Sequence, residues 1–508
     1  MTGPARPGAR PGEDASPRPV SAQQDTAALA KGGRQNFLGF LLRLAARIPF
    51  LLIAGRLYGA ESLGRFASAL VMVELAAQLA SLGEKRGLAQ RLSEGEGVHP
   101  ANLVWEVLLL AFGLSCAAAG LLWLFPAPLF PSGPFSALDL LIVLAIPGYA
   151  LTEILLAAQA YRFDVTATVR ARAIVEPWTI SLMAGMFWWI PQTREAGLSL
   201  AYLASIYAGL VAAAIPFLRG YGLPNALALS PAALARTLGR AAPLAAADAI
   251  EWGTRRLDIF LLGLFASPGV VGIYYVAQQV ASLPQKLKTS FEPILGPVIT
   301  RNLRAGDLAA IARHVSQVGF WIIAMQTGVA LALGIPGEAV MGLIGPGFVG
   351  GNGALAFLLL AEVTAATAVV SEAVLIYVAR LRNLAVSLAT IALQGALTAG
   401  LILAMRKAGY PETYLAAGAA VALLVALGFA SLVKARMLSR HLGRTVQPTR
   451  WSLVWAAGPA VVVGFAATAL PEWMELAVGV PAILAVYCWV IWRRGFGPED
   501  RALFRLKG

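Results

Sequence analysis

Between Asp248 and Glu292 the chain places Asp248, Glu251, Arg255, Arg256, Asp258, Lys286, Lys288 and Glu292 inside two segments otherwise apolar enough to cross a bilayer. An ionised side chain in hydrocarbon costs several kcal/mol, so such groups face a bundle interior, a wet cavity or a partner. At about 100° per residue, Asp248, Glu251, Arg255 and Asp258 share one helix face. Gln278, Ser282, Gln285, Thr289 and Glu292 share a face on the following helix in the same way. The chemistry this pattern suits is anion recognition, because arginine stays charged and grips oxyanions two oxygens at a time. Glu251 and Arg255 can pair at i,i+4, which satisfies one arginine of the Arg255–Arg256 pair and leaves the other for a cavity. Lys286 and Lys288 point to different sides, so one of them is expected to line that cavity.

A second set lies near the N-terminus. Arg43 and Arg47 are one turn apart on the first apolar run. Arg47 is placed in the cavity, and Arg43 is placed there or at the membrane interface by snorkelling. Glu74, Gln78, Ser81 and Lys85 form a stripe on the next run. Glu74 is expected either to bind a proton or cation or to bridge to Arg47 or Arg255. The carboxylates Glu74, Asp248, Glu251 and Asp258 are thus candidates for ion coupling or for pairing with arginine.

The elements that must position these groups are membrane helices. Of 508 residues, 58% are hydrophobic and 13% charged, against about 25% charged in soluble domains, and the mean hydropathy is +0.70. Apolar runs of spanning length recur from end to end. Spans are predicted near 36–56, 64–83, 101–125, 136–158, 170–191, 198–218, 240–265, 270–293, 317–335, 352–379, 384–405, 414–435, 451–470 and 474–493. The expected fold is therefore an all-α polytopic membrane protein of about fourteen helices. Its net charge of +13 suggests nucleic acid, but the basic residues fall in alternate short loops. Nineteen lie in one set (including Arg162, Arg170, Arg172, Arg313 and Lys434) and three, Arg194, Arg406 and Lys407, in the other. The positive-inside rule then puts both termini in the cytoplasm and makes the surface a membrane topology signal, with no nucleic-acid partner.

The first hairpin recurs after 208 positions. Arg47 falls on Arg255, Gly55 on Gly263, Gly64 on Gly272, Ala69 on Ala277, Leu75 on Leu283 and Glu84 on Glu292. The expected organisation is a disordered cytoplasmic tail (1–35), an N-terminal six-helix bundle (36–218), a linker (219–239), a C-terminal six-helix bundle (240–437), two additional helices (438–493) and a short cytoplasmic tail (494–508). A path between two such halves is a common transporter plan.

Other polar groups have plainer expected roles. Glu153, Glu176, Glu362, Glu372 and Gln394 are taken as helix–helix hydrogen bonds, with Glu362 and Glu372 as lesser candidates for proton coupling. His99, His314 and His441 are expected on loop surfaces, and Cys116 and Cys488 as small buried hydrophobes. The chain has no phosphate-binding G-x-x-x-x-G-K-[ST] loop, no HExxH and no CxxC, so ATP hydrolysis, cofactors and metal centres are not expected.

The residues Gly55, Arg56, Leu57, Gly59, Gly64, Phe66, Leu82, Gly83 and Arg91 carry a resemblance, repeated at Gly263–Val280. The pattern resembles the opening hairpin of Wzx-type polysaccharide transporters, a branch of the multidrug/oligosaccharidyl-lipid/polysaccharide (MOP) flippase superfamily that also holds MATE- and MurJ-like proteins. The resemblance implies a bacterial inner-membrane flippase for an undecaprenyl-diphosphate-linked oligosaccharide serving O-antigen, capsule or exopolysaccharide assembly. Arg43, Arg47, Arg255, Arg256 and Lys286 would hold the diphosphate or acidic sugars. A polysaccharide polymerase and a chain-length regulator would be partners, and no covalent bond would be made or broken. A lipid II flippase and a cation-coupled multidrug exporter are the alternatives within the superfamily. A membrane glycosyltransferase or polymerase would need a large loop with catalytic charges, and the loops near 126–135 and 336–351 are short and nearly uncharged.

Overall fold

In hydrocarbon every backbone N–H must find its acceptor within its own helix or a closed barrel, and among the described residues the apolar runs fold as helices. The computed structural model describes residues 48–94, 99–225, 231–289, 292–498 and 500–501. Arg43, Arg47 and the tail 1–35 lie outside the described residues, as do the side chains of Lys286, Lys288 and Glu292.

The first described helix, α1 (48–58), ends in a π-helical turn, and Gly59 at φ 77° redirects the chain into α2 (Gly59–Ala80). There follow α3 (Pro100–Leu124), α4 (Asp139–Tyr161), α5 (Glu176–Trp189), α6 (Gly197–Tyr221), α7 (Pro231–Phe265) and α8 (Pro268–Thr289). The remainder is α9 (Leu308–Gly334), α10 (Asn352–Val378), α11 (Arg380–Lys407), α12 (Glu412–Leu442), α13 (Trp451–Ala467) and α14 (Glu472–Gly495). Short helices Glu84–Glu94, Glu292–Arg304 and Gly337–Ile344 connect them. Among the described residues nine helices are long and apolar enough to cross a membrane. The α7 and α8 helices are outside that set, because α7 holds five charged residues between Asp248 and Asp258 and α8 interrupts its apolar run with glutamines, Ser282 and two lysines.

The 208-residue repeat reappears as geometry. Helices α2 and α8 cross at Gly64 and Gly272. A Cβ on Gly64 would stand 1.7 Å from the Pro268 carbonyl oxygen and 2.8 Å from the Gly272 nitrogen. A Cβ on Gly272 would stand 2.0 Å from the Ala60 carbonyl oxygen and 3.0 Å from the Gly64 nitrogen. Positions 60 and 268 are themselves 208 apart, so the crossing is reciprocal, as a pseudo-twofold axis requires. Arg56 ties the same end, donating from Nε and Nη2 to the Leu343 carbonyl oxygen at 3.2 and 3.0 Å.

At the far end of α2 the chain turns through Leu82 (φ 58°) and Gly83 (φ 65°). Gly83 lies so close to α7 that a Cβ would sit 2.4 Å from the Leu244 Cβ. Just beyond, Glu84 is 3% accessible and 2.8 Å from Arg91. Burial raises its carboxyl above the ordinary value, with the Arg91 charge opposing. Helices α2 and α7–α8 are therefore pinned together at both ends.

The final pair, α13 and α14, packs on α9 through the Tyr487 hydroxyl, which donates to the Ala324 carbonyl at 2.8 Å. Beyond α14, Asp500 accepts from Trp321 Nε1 at 2.9 Å and from Arg450 Nη1 at 2.6 Å, while Arg450 stacks over the Phe320 ring at 3.9 Å. Burial pushes the Asp500 carboxyl up, but hydrogen bonds from Arg450, the Gly497 N–H and Trp321 pull it below its ordinary 3.8. A carboxyl held low contributes stability above its unfolded value and loses it as pH falls through the folded one. Asp500→Ala should thus destabilise the detergent-solubilised protein by about 2 kcal/mol at neutral pH. Thermal unfolding of wild type and variant should converge below about pH 3, and a gap that persists there would refute this account.

Several expectations are corrected. His314 is buried on α9, which begins at Leu308, nine residues before the apolar run it was expected to match. Cys116 and Cys488 are exposed on the outer helix surface, where lipid solvates a small thiol as well as a core does. Gln394 is fully buried, and neither amide atom has a hydrogen-bond partner.

Candidate functional site

Halfway along α2, ten residues from Gly64 and nine from Gly83, Glu74 faces α7. Each pinned end is therefore about 15 Å away along the helix axis. One turn earlier, the indole N–H of Trp252 donates to the Val71 carbonyl at 3.1 Å and sets the register of α7 on α2. That register brings Arg256 to Glu74. Its Nε lies 3.1 Å from Oε2 and its Nη2 3.5 Å from Oε1, a two-pronged ion pair between helices 182 residues apart in sequence. The partner expected for Glu74 was Arg47 or Arg255. Arg255 instead pairs within α7 with Glu251, at 3.0 Å. Consecutive residues point about 100° apart, so only one of the two arginines can face α2.

The pair continues into α8. Arg256 Nη1 donates to Gln278 Oε1 at 3.2 Å, and Gln278 Nε2 donates to Asp258 Oδ2 at 3.2 Å. Asp258 is buried and accepts the Tyr274 hydroxyl at 2.6 Å. Tyr274 is fully buried, so Asp258 is fixed on a hydrogen-bonded phenol, whereas Glu74 and Arg256 retain 18% and 25% side-chain accessibility. The Glu74–Arg256 pair is thus partly accessible, and Asp258 is not. Asp248, the fourth member of the expected stripe, is buried as well.

Facing the pair from the first half is a second cluster. Arg172 donates from Nη1 to Glu176 at 2.8 and 2.9 Å, pairs through Nη2 with Glu153, and lies over the Tyr149 ring at 4.7 Å. Glu74 is within electrostatic reach of Tyr149 and of buried Tyr202. The expectation that Arg172 sits in a loop is corrected. It lies in a π-helical segment (Val169–Val175) that runs directly into α5. Glu153 and Glu176, expected as simple helix–helix contacts, are its two counter-charges. The i,i+4 spacing of Arg172 and Glu176 was the available signal.

A third charged group, Lys434, was assigned to a loop and is instead buried within α12. Its Nζ lies 2.9 Å from Glu372 and 3.1 Å from the Ser387 hydroxyl. The result for the arginines named here is uniform: Arg172, Arg255 and Arg256 each face a carboxylate. Among the described residues, these three arginines sit in closed ion pairs. Among the described residues no cluster of metal-ligating side chains occurs.

No family model matches this sequence, and no curated protein matches it. Solved structures do. A lipid II flippase MurJ in an inward closed conformation superposes with a TM-score of 0.68 at 11% identity, covering 90% of this chain and 99% of that one. The fold is that of the MOP transporters. An inward-facing multidrug resistance MATE transporter gives 0.59 at 13% identity, covering 84% and 96%. A MOP transporter from Pyrococcus furiosus, described as having a binding pocket of reversed polarity, gives 0.56 at 13%, with the same coverage. The likeness in fold extends over 84–90% of this chain.

Proposed function

We propose that this chain flips a lipid-linked oligosaccharide carried on undecaprenyl diphosphate across the bacterial inner membrane, for O-antigen, capsule or exopolysaccharide assembly. The observation that carries this reading is the Glu74–Arg256 pair, accessible and placed midway between two pinned ends. A diphosphate offers Arg256 the same two-oxygen geometry as Glu74 with more charge. Its arrival replaces Glu74 as the partner of Arg256 and releases the tie between α2 and α7. The two bundles (36–218 and 240–437) then rock about the helix crossings, and the re-formed pair expels the head group on the other side. Binding energy drives the change because it differs between the two states. Arg43, Arg47, Arg255 and Lys286 supplement Arg256 in this scheme. Glu74, once released, is the group able to take up a proton or cation, while Glu251, Asp248 and Asp258 keep structural partners. Both termini are cytoplasmic in this reading, and a polymerase and chain-length regulator receive the product.

The second reading, a lipid II flippase, is favoured by the extent of the match to MurJ, which covers 90% of this chain against 84% for the MATE transporter. Both cargoes present a polyprenyl diphosphate, and one experiment separates them. In a deletion strain, lipid extracts analysed by mass spectrometry should accumulate a complete undecaprenyl-diphosphate oligosaccharide, cleared by the wild-type gene. Accumulation of lipid II with normal surface polysaccharide would select the second reading. Neither accumulating would remove both and move drug export forward.

A further inference from the structure

Away from the central site, α11 and α12 enclose a cavity of about 340 Å³ lined by Arg382, Val433, Arg436, Met437, Arg440 and His441. Three arginines from two helices contribute to its largely apolar lining, and all three are exposed. Among the described residues no carboxylate lies within ion-pair distance of them. Glu372, which contacts Asn383 next to Arg382, is held by Lys434 at 2.9 Å. Arg172, Arg255 and Arg256 each have a carboxylate partner, and among the described residues Arg382, Arg436 and Arg440 have none. His441 adds a ring whose Nδ1 is engaged with the Met437 carbonyl oxygen at 3.0 Å, leaving Nε2 outward.

The surface leading away from the cavity is apolar. On α12, Val425, Phe429 and Leu432 are exposed at 49%, 37% and 59%. Together with Arg436 they follow each other at intervals of four, three and four residues, a single stripe along one helix face. On α11, Leu384 and Leu388 are exposed beside it at 41% and 48%. An apolar pocket edged by exposed arginines, at the end of an apolar stripe, matches a molecule with an anionic head and hydrocarbon tails.

We propose that this groove binds the phosphodiester head group of an anionic membrane phospholipid, with its acyl chains along Val425, Phe429 and Leu432. Arginine suits this head group because its fork engages two phosphate oxygens at once. None of its lining residues takes part in the central ion pairs.

The test uses the full-length purified protein in native mass spectrometry, titrated with phosphatidylglycerol, phosphatidylcholine or inorganic phosphate. Phosphatidylglycerol should bind on the order of tenfold more tightly than phosphatidylcholine. The Arg436→Gln/Arg440→Gln variant should lose about tenfold of that affinity, and Leu432→Asp should weaken it with all arginines intact. Arg406→Gln/Lys407→Gln, at the other end of α11, should leave it unchanged. Equal binding of the two lipids, full retention in the Arg436/Arg440 variant, or an equal loss in the Arg406/Lys407 control would overturn the proposal. Inorganic phosphate competing as well as the lipid would show a phosphate site without a lipid and overturn it too.

Discussion

Arg256→Gln should lower export by about 100-fold, the effect of removing a charge-assisted, two-pronged contact worth about 3 kcal/mol. Arg255→Gln should cost less than about threefold, because an exposed i,i+4 pair contributes only a few tenths of a kcal/mol. The asymmetry between two adjacent arginines is the discriminating feature, since composition and hydropathy treat them alike. Glu74→Gln should behave differently again. It frees Arg256 from its resting partner, so cargo binds more tightly while release slows. Arg256→Lys keeps the charge but loses the fork, and should recover part of the activity. The measurement is clearance of the accumulated glycolipid by each variant in the deletion strain, normalised to membrane expression. Equal activity of Arg256→Gln and wild type would remove the partner-exchange scheme while leaving the fold assignment untouched.

Gly64→Ala should open the end of the molecule that α2 and α8 close. The added methyl would meet backbone atoms at 1.7 and 2.8 Å, and backbone cannot rotate out of the way as a side chain can. Overpacking of this kind costs about 1–3 kcal/mol, which shifts a two-state equilibrium on the order of tenfold. Gly272→Ala should produce an effect of the same size, because its obstruction, at 2.0 Å from the Ala60 carbonyl oxygen, is the mirror of the first. Gly113 on α3 provides the control, with open space around its Cβ position. Alanine there should be neutral or add up to about 1 kcal/mol of helix stability. The readout is thiol labelling of a Gln278→Cys reporter by a membrane-impermeant reagent. Faster labelling in both crossing variants and unchanged labelling in Gly113→Ala is expected. If Gly64→Ala labels like Gly113→Ala, the crossing is not a gate.

The reach of the sequence differs between these two features for a physical reason. A helix crossing this close admits only glycine, so Gly64 and Gly272 leave a trace at a fixed spacing that can be read without coordinates. Their partners Ala60 and Pro268 leave none, because they contribute only carbonyl oxygens, which every residue has. The partner of Glu74 was not legible, since choosing between Arg255 and Arg256 requires the rotation of α7 about its axis, set here by Trp252 on Val71. Arg172 and Lys434 were misplaced for a related cause. Helices continue past the apolar run that announces them, and a charged residue in that extension looks like a loop residue until its counter-charge, Glu153 and Glu176 or Glu372, is seen beside it.

The closed ion pairs at the centre also bear on what a surrounding bilayer has to withstand. A permanent row of unpaired arginines through a membrane would draw in chloride and other small anions, and each elementary charge crossing gives up about 2.3 kcal/mol per 100 mV. With Arg256 on Glu74, Arg172 on Glu153 and Glu176, and Arg255 on Glu251, these three arginines offer a small anion little net attraction. Only a ligand with several oxyanions in the right geometry competes with a carboxylate already in place. On the proposed function the pairing acts as electrical insulation, and a variant that breaks it, such as Glu74→Gln, should pass small anions more readily than wild type.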